Sequence, residues 1–262
     1  MLARLRGVTD DAVELTSRST RIRAGRVSVV RRSIGFVTRV RDRDLDALTR
    51  EITQCRACPR LVEWREQVAR DRRAAYADEE YWGRPVPGFG DPDGRVVLVG
   101  LAPAAHGGNR TGRMFTGDRS GDWLFASLYR TGFANQPRSV DRDDGLQLRD
   151  AYILAPVRCA PPANRPTPEE RQRCAPYLRR ELELLANTRV LVALGGFAYQ
   201  ALAGDLDVRP RPKFAHGLEV PLADGRFLVC SYHPSQQNTF TGTLTEAMLD
   251  SALARARVLA GL

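Results

Sequence analysis

The 262-residue chain has almost no lysine: Lys213 stands alone among 40 basic residues. A phosphate loop of the G-x-x-x-x-G-K-S/T type is therefore excluded, and no G-x-G-x-x-G follows an apolar run, so neither common nucleotide fingerprint is present. No stretch approaches about 18 consecutive apolar residues, which excludes a transmembrane helix. The N-terminus carries charge but lacks the apolar core of a secretory signal, so a cytoplasmic protein is expected. Repeats and low-complexity tracts are absent too. Cysteines number five, and without a signal they argue against a disulfide framework.

What remains is an ordinary globular composition, 43% hydrophobic and 27% charged, long enough to bury a substantial core. The net charge of +9 and the pI near 9.9 favour an anionic partner, nucleic acid before an acidic membrane surface. Arginine preference also follows genomic base composition, so only the sign of the charge is informative.

Residues 1–45 are arginine-rich and weakly patterned, and read as a basic, mobile extension ahead of one domain over 46–262. Four short runs of Val, Leu and Ile then recur at Val96–Leu101, Tyr152–Val157, Val190–Leu194 and Phe227–Tyr232. Nearly continuous apolar runs of that length suit strands buried on both faces. Helical periodicity covers about 44–54, 60–75, 120–132, 168–187, 197–204 and 243–260. Thr167-Pro-Glu-Glu170 has the form of a helix start, with Thr as N-cap, Pro at the first position and Glu three residues on. Thr243-Leu-Thr-Glu246 repeats the pattern. Gly83–Gly94 is a Gly- and Pro-dense loop, and Ala223-Asp-Gly225 marks a tight turn joining Leu218–Leu222 to the last strand. Alternation of strands and helices gives an α/β fold, a three-layer α/β/α sandwich around a mostly parallel four-stranded sheet.

The cysteines fall at Cys55, Cys58, Cys159 and Cys174, with Cys230 alternating inside the last apolar run as core packing. C-x2-C, a gap of 100 residues, then C-x14-C suits four thiolates at one point, for zinc or an iron–sulfur cluster, or else ordinary buried thiols. Each strand also ends on chemistry. After the first comes "GLAPAAHGGNRTGRMFTGD", with Phe115 and Asp118. After the second comes "VRCAPPANRPTPEE", with Asn164, and after the third "ALGGFA", with Gly195 and Gly196. After the fourth comes "YHPSQQNTFTG", with His233. Ligands of open α/β sheets sit at these ends, so four distant loops converge there. Taken singly, Phe115 reads as a core aromatic, Asp118 as a helix cap and His233 as a turn residue.

These four segments in this order, with the Cys-x2-Cys ahead of them, resemble the uracil-DNA glycosylases of the iron–sulfur families, above all family 5, the B type. The resemblance spans roughly residues 50–245. It implies a 4Fe–4S cluster on Cys55, Cys58, Cys159 and Cys174, and excision of uracil, with other deaminated bases such as hypoxanthine, from DNA by a monomer. It further implies that Phe115 stacks on a flipped base whose polar edge meets backbone around Gly100, Ala102 and Asn109. Arg110 and Arg113 would hold phosphates, and His233 would stabilise the departing base. Ser235, Gln237, Asn238 and Phe240 would lie on the DNA, with Gln237 and Phe240 filling the gap left by the base. One position departs from the pattern: Leu101 stands where related glycosylases carry an acidic or amide group. Asp118, with Asn164 as the competing candidate, is then expected to position the attacking water. A rival reading, a non-catalytic nucleic-acid-binding module with a structural metal, accounts for the charge and the cysteines but not for His233, Asp118 and Phe115 at strand ends.

Overall fold

A computed structural model describes residues 41–262; residues 1–40, most of the expected basic extension, lie outside the described residues. Helix α1 covers 41–54 and α2 Pro59–Asp71. The four expected runs all become strands, β4 with the expected bounds and the others shorter at their carboxyl ends: β2 (Val96–Val99), β3 (Ala151–Leu154), β4 (Val190–Leu194) and β6 (Phe227–Ser231). They pair in parallel in the order β3-β2-β4-β6, with Val97 opposite both Tyr152 and Leu191, and Val192 opposite Val229. Two short antiparallel edges extend the sheet to six strands. β5 (Glu219–Pro221) is the expected hairpin partner of β6, and β1 (Phe89–Gly90) pairs with β3 from inside the segment expected to be loop.

Alternation along the buried strands sends side chains to two separate cores. Val96, Leu98, Ile153, Val192 and Val229 meet α4 (Arg119–Arg130) and α8 (Glu246–Leu259) through Leu124, Phe125, Leu249 and Leu253. Val97, Val99, Leu154, Leu191 and Cys230 meet α5 (Pro168–Leu184) and α6 (Gly196–Asp205) through Leu178, Leu182, Tyr199 and Leu202. The result is helices on both faces of the sheet, with Cys230 fully buried as core packing.

Helix starts follow the caps. Thr167 forms a complete capping box with Glu170 at the head of α5. At α8 the expectation is corrected: Thr245, not Thr243, is the N-cap, accepting from the Met248 amide, while the Thr243 hydroxyl pairs with that of Thr241 at 2.8 Å. Both threonines precede residues that tolerate the first turn, so spacing alone does not separate them. Two further short helices interrupt expected loops, α3 (Gly108–Thr111) and α7 (Gln236–Phe240).

β2 is central. The chain moves from it to β3 on one side, then crosses to β4 on the other, so the direction of winding reverses between β2 and β4 and a crevice opens beyond their carboxyl ends. Among the described residues no helix is long and apolar enough to cross a membrane.

Candidate active site

The crevice is floored by Gly100, whose amide donates to Leu154 O at 3.0 Å. A Cβ there would stand 2.8 Å from Cε2 and Cζ of Phe115, so glycine is what lets the ring lie against the end of β2. Phe115 itself has φ 54°, the left-handed region that aromatic residues avoid. Its carbonyl is packed so tightly against Gly121 of α4 that a Cβ on Gly121 would lie 1.7 Å from it. The strained backbone and the two glycines together aim the ring at His233, with centroids 5.7 Å apart and planes tilted by 30°.

His233 leaves β6 two residues after Ser231. Its carbonyl accepts from Asn238 Nδ2 at 2.8 Å, which ties α7 to the imidazole's backbone. From the other side Gly195, at φ 98°, comes so close that its Cβ would be 3.1 Å from His233 Cβ. Burial pushes the imidazole down to about 4, so it is neutral at pH 7. A neutral ring carries one N–H donor, and the imidazole has no hydrogen-bond partner among the described residues.

Asp118 is the N-cap of α4: Oδ1 accepts from the Gly121 amide at 2.9 Å. Its other oxygen lies against Gly107, where a Cβ would approach Oδ2 to 2.1 Å. Burial raises the carboxyl above the usual carboxylate range, and the amides of Gly121 and Ser120 oppose that rise. The expected site residue is thus also the helix cap. Asn164 is placed differently. It is exposed at the end of a 3-10 turn, Pro162–Asn164, where Ala163 and Asn164 are both left-handed, at φ 52° and 54°.

Two expected phosphate ligands are corrected. Arg110 is buried. Its Nε donates to His106 O at 2.9 Å and Nη2 to Gly117 O at 3.0 Å, Nη1 pairs with Glu79, and the guanidinium stacks on Tyr76. Arg113 is buried as well, with Nε on Thr116 Oγ1 at 3.0 Å and Nη1 on Arg142 O at 2.9 Å. Its Nη2 reaches Asp144 at 2.7 Å. Their donors are used to fold the glycine-rich loop. Asn109, expected to meet the base through its backbone, donates its amide to Ala104 O at 3.0 Å, and its fully buried side chain donates to Arg65 O at 3.1 Å. The side chain of Ala102 packs with Phe197 onto Leu61 and Val157, so a base could meet only its backbone. On α7, Ser235 is the N-cap and Asn238 supports His233, while Gln237 and Phe240 are exposed, Phe240 by 67%.

Away from the crevice, Cys55, Cys58, Cys159 and Cys174 line one pocket, together with Arg65, Arg158 and Tyr177. Arg65 donates to Cys159 Sγ at 2.9 Å. Nε of Arg65 and both Nε and Nη1 of Arg158 are buried there without a partner. Burial pushes the Cys159 thiol up to about 12 and that of Cys174 to about 11. Among the described residues no three His, Cys, Asp or Glu side chains are grouped as the ligands of one metal ion would be.

The family model described as the uracil DNA glycosylase superfamily matches residues 87–257, the whole sheet and nearly all of α8. The chain belongs to the uracil-DNA glycosylase superfamily. Within it, the chain is 56% identical over 223 residues to a type-5 uracil-DNA glycosylase of Mycobacterium bovis, covering 84% of this chain and 82% of that one. It is 51% identical over 220 residues to the type-5 enzyme of Thermus thermophilus, covering 84% of this chain and all of the other. A type-4 uracil-DNA glycosylase of Thermotoga maritima is 33% identical over 151 residues, 57% of this chain and 69% of its own. Sequence reasoning missed the supports Gly107 and Gly121, and placed Asn238 on the DNA instead of against the His233 carbonyl. The only signal available for the two glycines was an excess of glycine in the loop.

Proposed function

We propose that the protein hydrolyses the N-glycosidic bond of uracil in DNA, acting as a monomer on a base rotated into the crevice between β2 and β4. The observation that carries this reading is the pairing of Phe115 with a neutral, unpartnered His233 beyond the carboxyl ends of β2 and β6, the parallel strands on either side of β4, in a uracil-DNA glycosylase chain. Phe115 offers the flipped pyrimidine a face to stack on, and the glycine-rich backbone lies beside the base's polar edge. As the bond between C1′ and the base nitrogen lengthens, both bonding electrons leave with the base. His233 donates its N–H to the uracil oxygen on which that charge gathers. With a pKa near 4 it works as a fixed neutral donor, not as a proton source. Water oxygen then bonds to C1′, and Asp118 Oδ2, the oxygen not used in capping α4, holds that water and takes the proton it loses, which passes on to the departed base anion. Asn164 is the competing holder. With Leu101 apolar at the loop's first position, the water depends on this one group, so excision leans on the leaving group. That dependence extends the proposed substrates to hypoxanthine and xanthine.

The cysteine pocket fits a 4Fe–4S cluster better than zinc. A zinc ion draws its thiolates to about 2.3 Å from one centre, whereas a cubane spreads four thiolates over four irons. The donor set is all sulfur, and the guanidinium groups of Arg65 and Arg158, each with buried nitrogens left without a partner, supply the positive charge that buried thiolates need. Cys55, Cys58, Cys159 and Cys174 would hold the cluster. When bound it supplies a structural tie between the N-terminal helices and the β3–α5 segment.

The test is release of free base from oligonucleotides carrying uracil, hypoxanthine or xanthine, each single- and double-stranded. Release of uracil is the expected result. A folded protein that binds these strands and releases no base would leave only a binding module.

A further inference from the structure

Gly217, just ahead of β5, has φ 76°, and nothing among the described residues lies within 4 Å of where its Cβ would be. Backbone conformation, not crowding, therefore calls for glycine there. Its amide donates to Cys230 O at 2.8 Å, while the Cys230 amide donates to Leu218 O at 2.9 Å. Two residues thus face one across the edge of the sheet, a bulge with glycine in its left-handed first position. Beyond the bulge a side chain takes over the ladder. The Tyr232 amide donates to Nδ1 of His216 at 3.3 Å, and the imidazole lies against the Tyr232 ring, with centroids 5.3 Å apart. Burial lowers His216 below the ordinary imidazole range, against the opposing pull of the Met248 backbone, so at pH 7 the ring is neutral and Nδ1 is free to accept.

One peptide group is therefore held at both ends. The Ser231 carbonyl accepts from the amide of Gly195, the N-cap of α6, at 2.8 Å. The Tyr232 amide, in the same rigid plane, is the one that donates to His216. The residue that follows Tyr232 is His233.

We propose that His216 is a positioning residue for His233: it ends the β6 ladder with a side chain, fixes the Ser231–Tyr232 peptide from the edge of the sheet, and so sets the direction in which the His233 imidazole enters the crevice. Bulges at sheet edges re-aim side chains in this way. The bulge at Gly217 turns His216 onto Tyr232, and the gain is passed along the chain to the next residue. The proposal rests on His233 being the donor to the departing base. A donor moved by about 1 Å can cost about 10²-fold in rate. His216 makes one of the two contacts on this peptide, so its loss should cost less than the loss of His233 itself.

The experiment measures single-turnover release of uracil from duplex at saturating enzyme, and affinity for a duplex carrying 2′-fluoro-2′-deoxyuridine, which resists cleavage. His216→Leu keeps the bulk of the ring and removes the acceptor; His216→Asn places Oδ1 where Nδ1 stood. His216→Leu should slow release by about tenfold and leave affinity within about twofold, the pattern of an interaction made in the transition state. His216→Asn should recover most of the loss. Added to His233→Ala, His216→Leu should slow release no further, because the two act through one group. Gly217→Val, whose branched side chain resists φ 76°, should slow release in the same way from outside the ring, and it decides the matter alone if His216→Leu does not fold. A parent-like rate in the folded variant, or a loss of affinity with the rate unchanged, overturns the proposal. An Asn variant as slow as Leu would assign the effect to packing on Tyr232, and a full further loss on the His233→Ala background would separate the two histidines; either also overturns it. Should His233→Ala keep its full rate, the site reading itself fails, and that result is independent of His216.

Discussion

Gly100 and Phe115 are complementary: the ring occupies the place where a Cβ on Gly100 would be, 2.8 Å from two of its carbons. Gly100→Ala must therefore push the ring out of the position that faces His233. The overlap is with the far end of a side chain, so the fold survives while the stacking surface moves. Uracil excision should drop by at least about tenfold, in line with stacking worth about 1–3 kcal/mol per base, with a melting temperature close to that of the parent. A parent-like rate would show that Phe115 does not carry the base.

Arg113 tests the corrected loop. Its pair with Asp144 is buried on both sides, and removing one partner of such a pair costs about 3–5 kcal/mol. Arg113→Ala should unfold in urea well before the parent. The salt dependence of DNA binding should keep its slope, because no phosphate contact is lost. A slope reduced by about one unit would return Arg113 to the DNA face.

The pH dependence follows from His233. Its folded pKa, about 4, lies below the ordinary 6.5, so between those values the unfolded chain binds the proton and the folded chain does not. Stability then rises with pH across this window and is lost as pH falls through it. The urea midpoint should fall from pH 6.5 towards 4, and His233→Ala should flatten part of that fall. An identical slope in the variant would mean that the imidazole is not held neutral.

If the proposed cluster is present, Cys174→Ser should lose visible absorption and solubility together, because it would detach α5 from it, whereas Cys230→Ser, in the core on β6, should keep its colour. Bleaching by the second change and not the first would reverse the ligand assignment.

What could be read from the sequence divides along physical lines. The strands of the parallel centre were legible because burial on both faces leaves runs dominated by Val, Leu, Ile and Ala. The head of α5 was legible because Thr167 and Glu170 satisfy each other's orphan groups locally. Arg110 and Arg113 were misplaced because a guanidinium serves a loop carbonyl or a carboxylate as well as a phosphate, and only the folded loop decides which. Asn238 and Gly195 were legible as site neighbours but not in their roles, since both act through contacts with His233 that span the sheet. His216 gave no signal at all, because its contact with Tyr232 forms only once β5 and β6 pair.

The most direct measurement is the single-turnover rate of uracil release at saturating enzyme for His233→Ala, Asp118→Ala and Asn164→Ala, which isolates chemistry from product release. Loss of one preorganised donor at a developing anion costs about 10²–10³ in rate, so His233→Ala should fall by that factor while still binding damaged duplex. Asp118→Ala should fall too, and by different factors for uracil and hypoxanthine, with exposed Asn164→Ala the mildest of the three. A severe Asn164→Ala beside a mild Asp118→Ala would move the water to the other loop. Near-parent rates in all three folded variants would contradict the site as a whole.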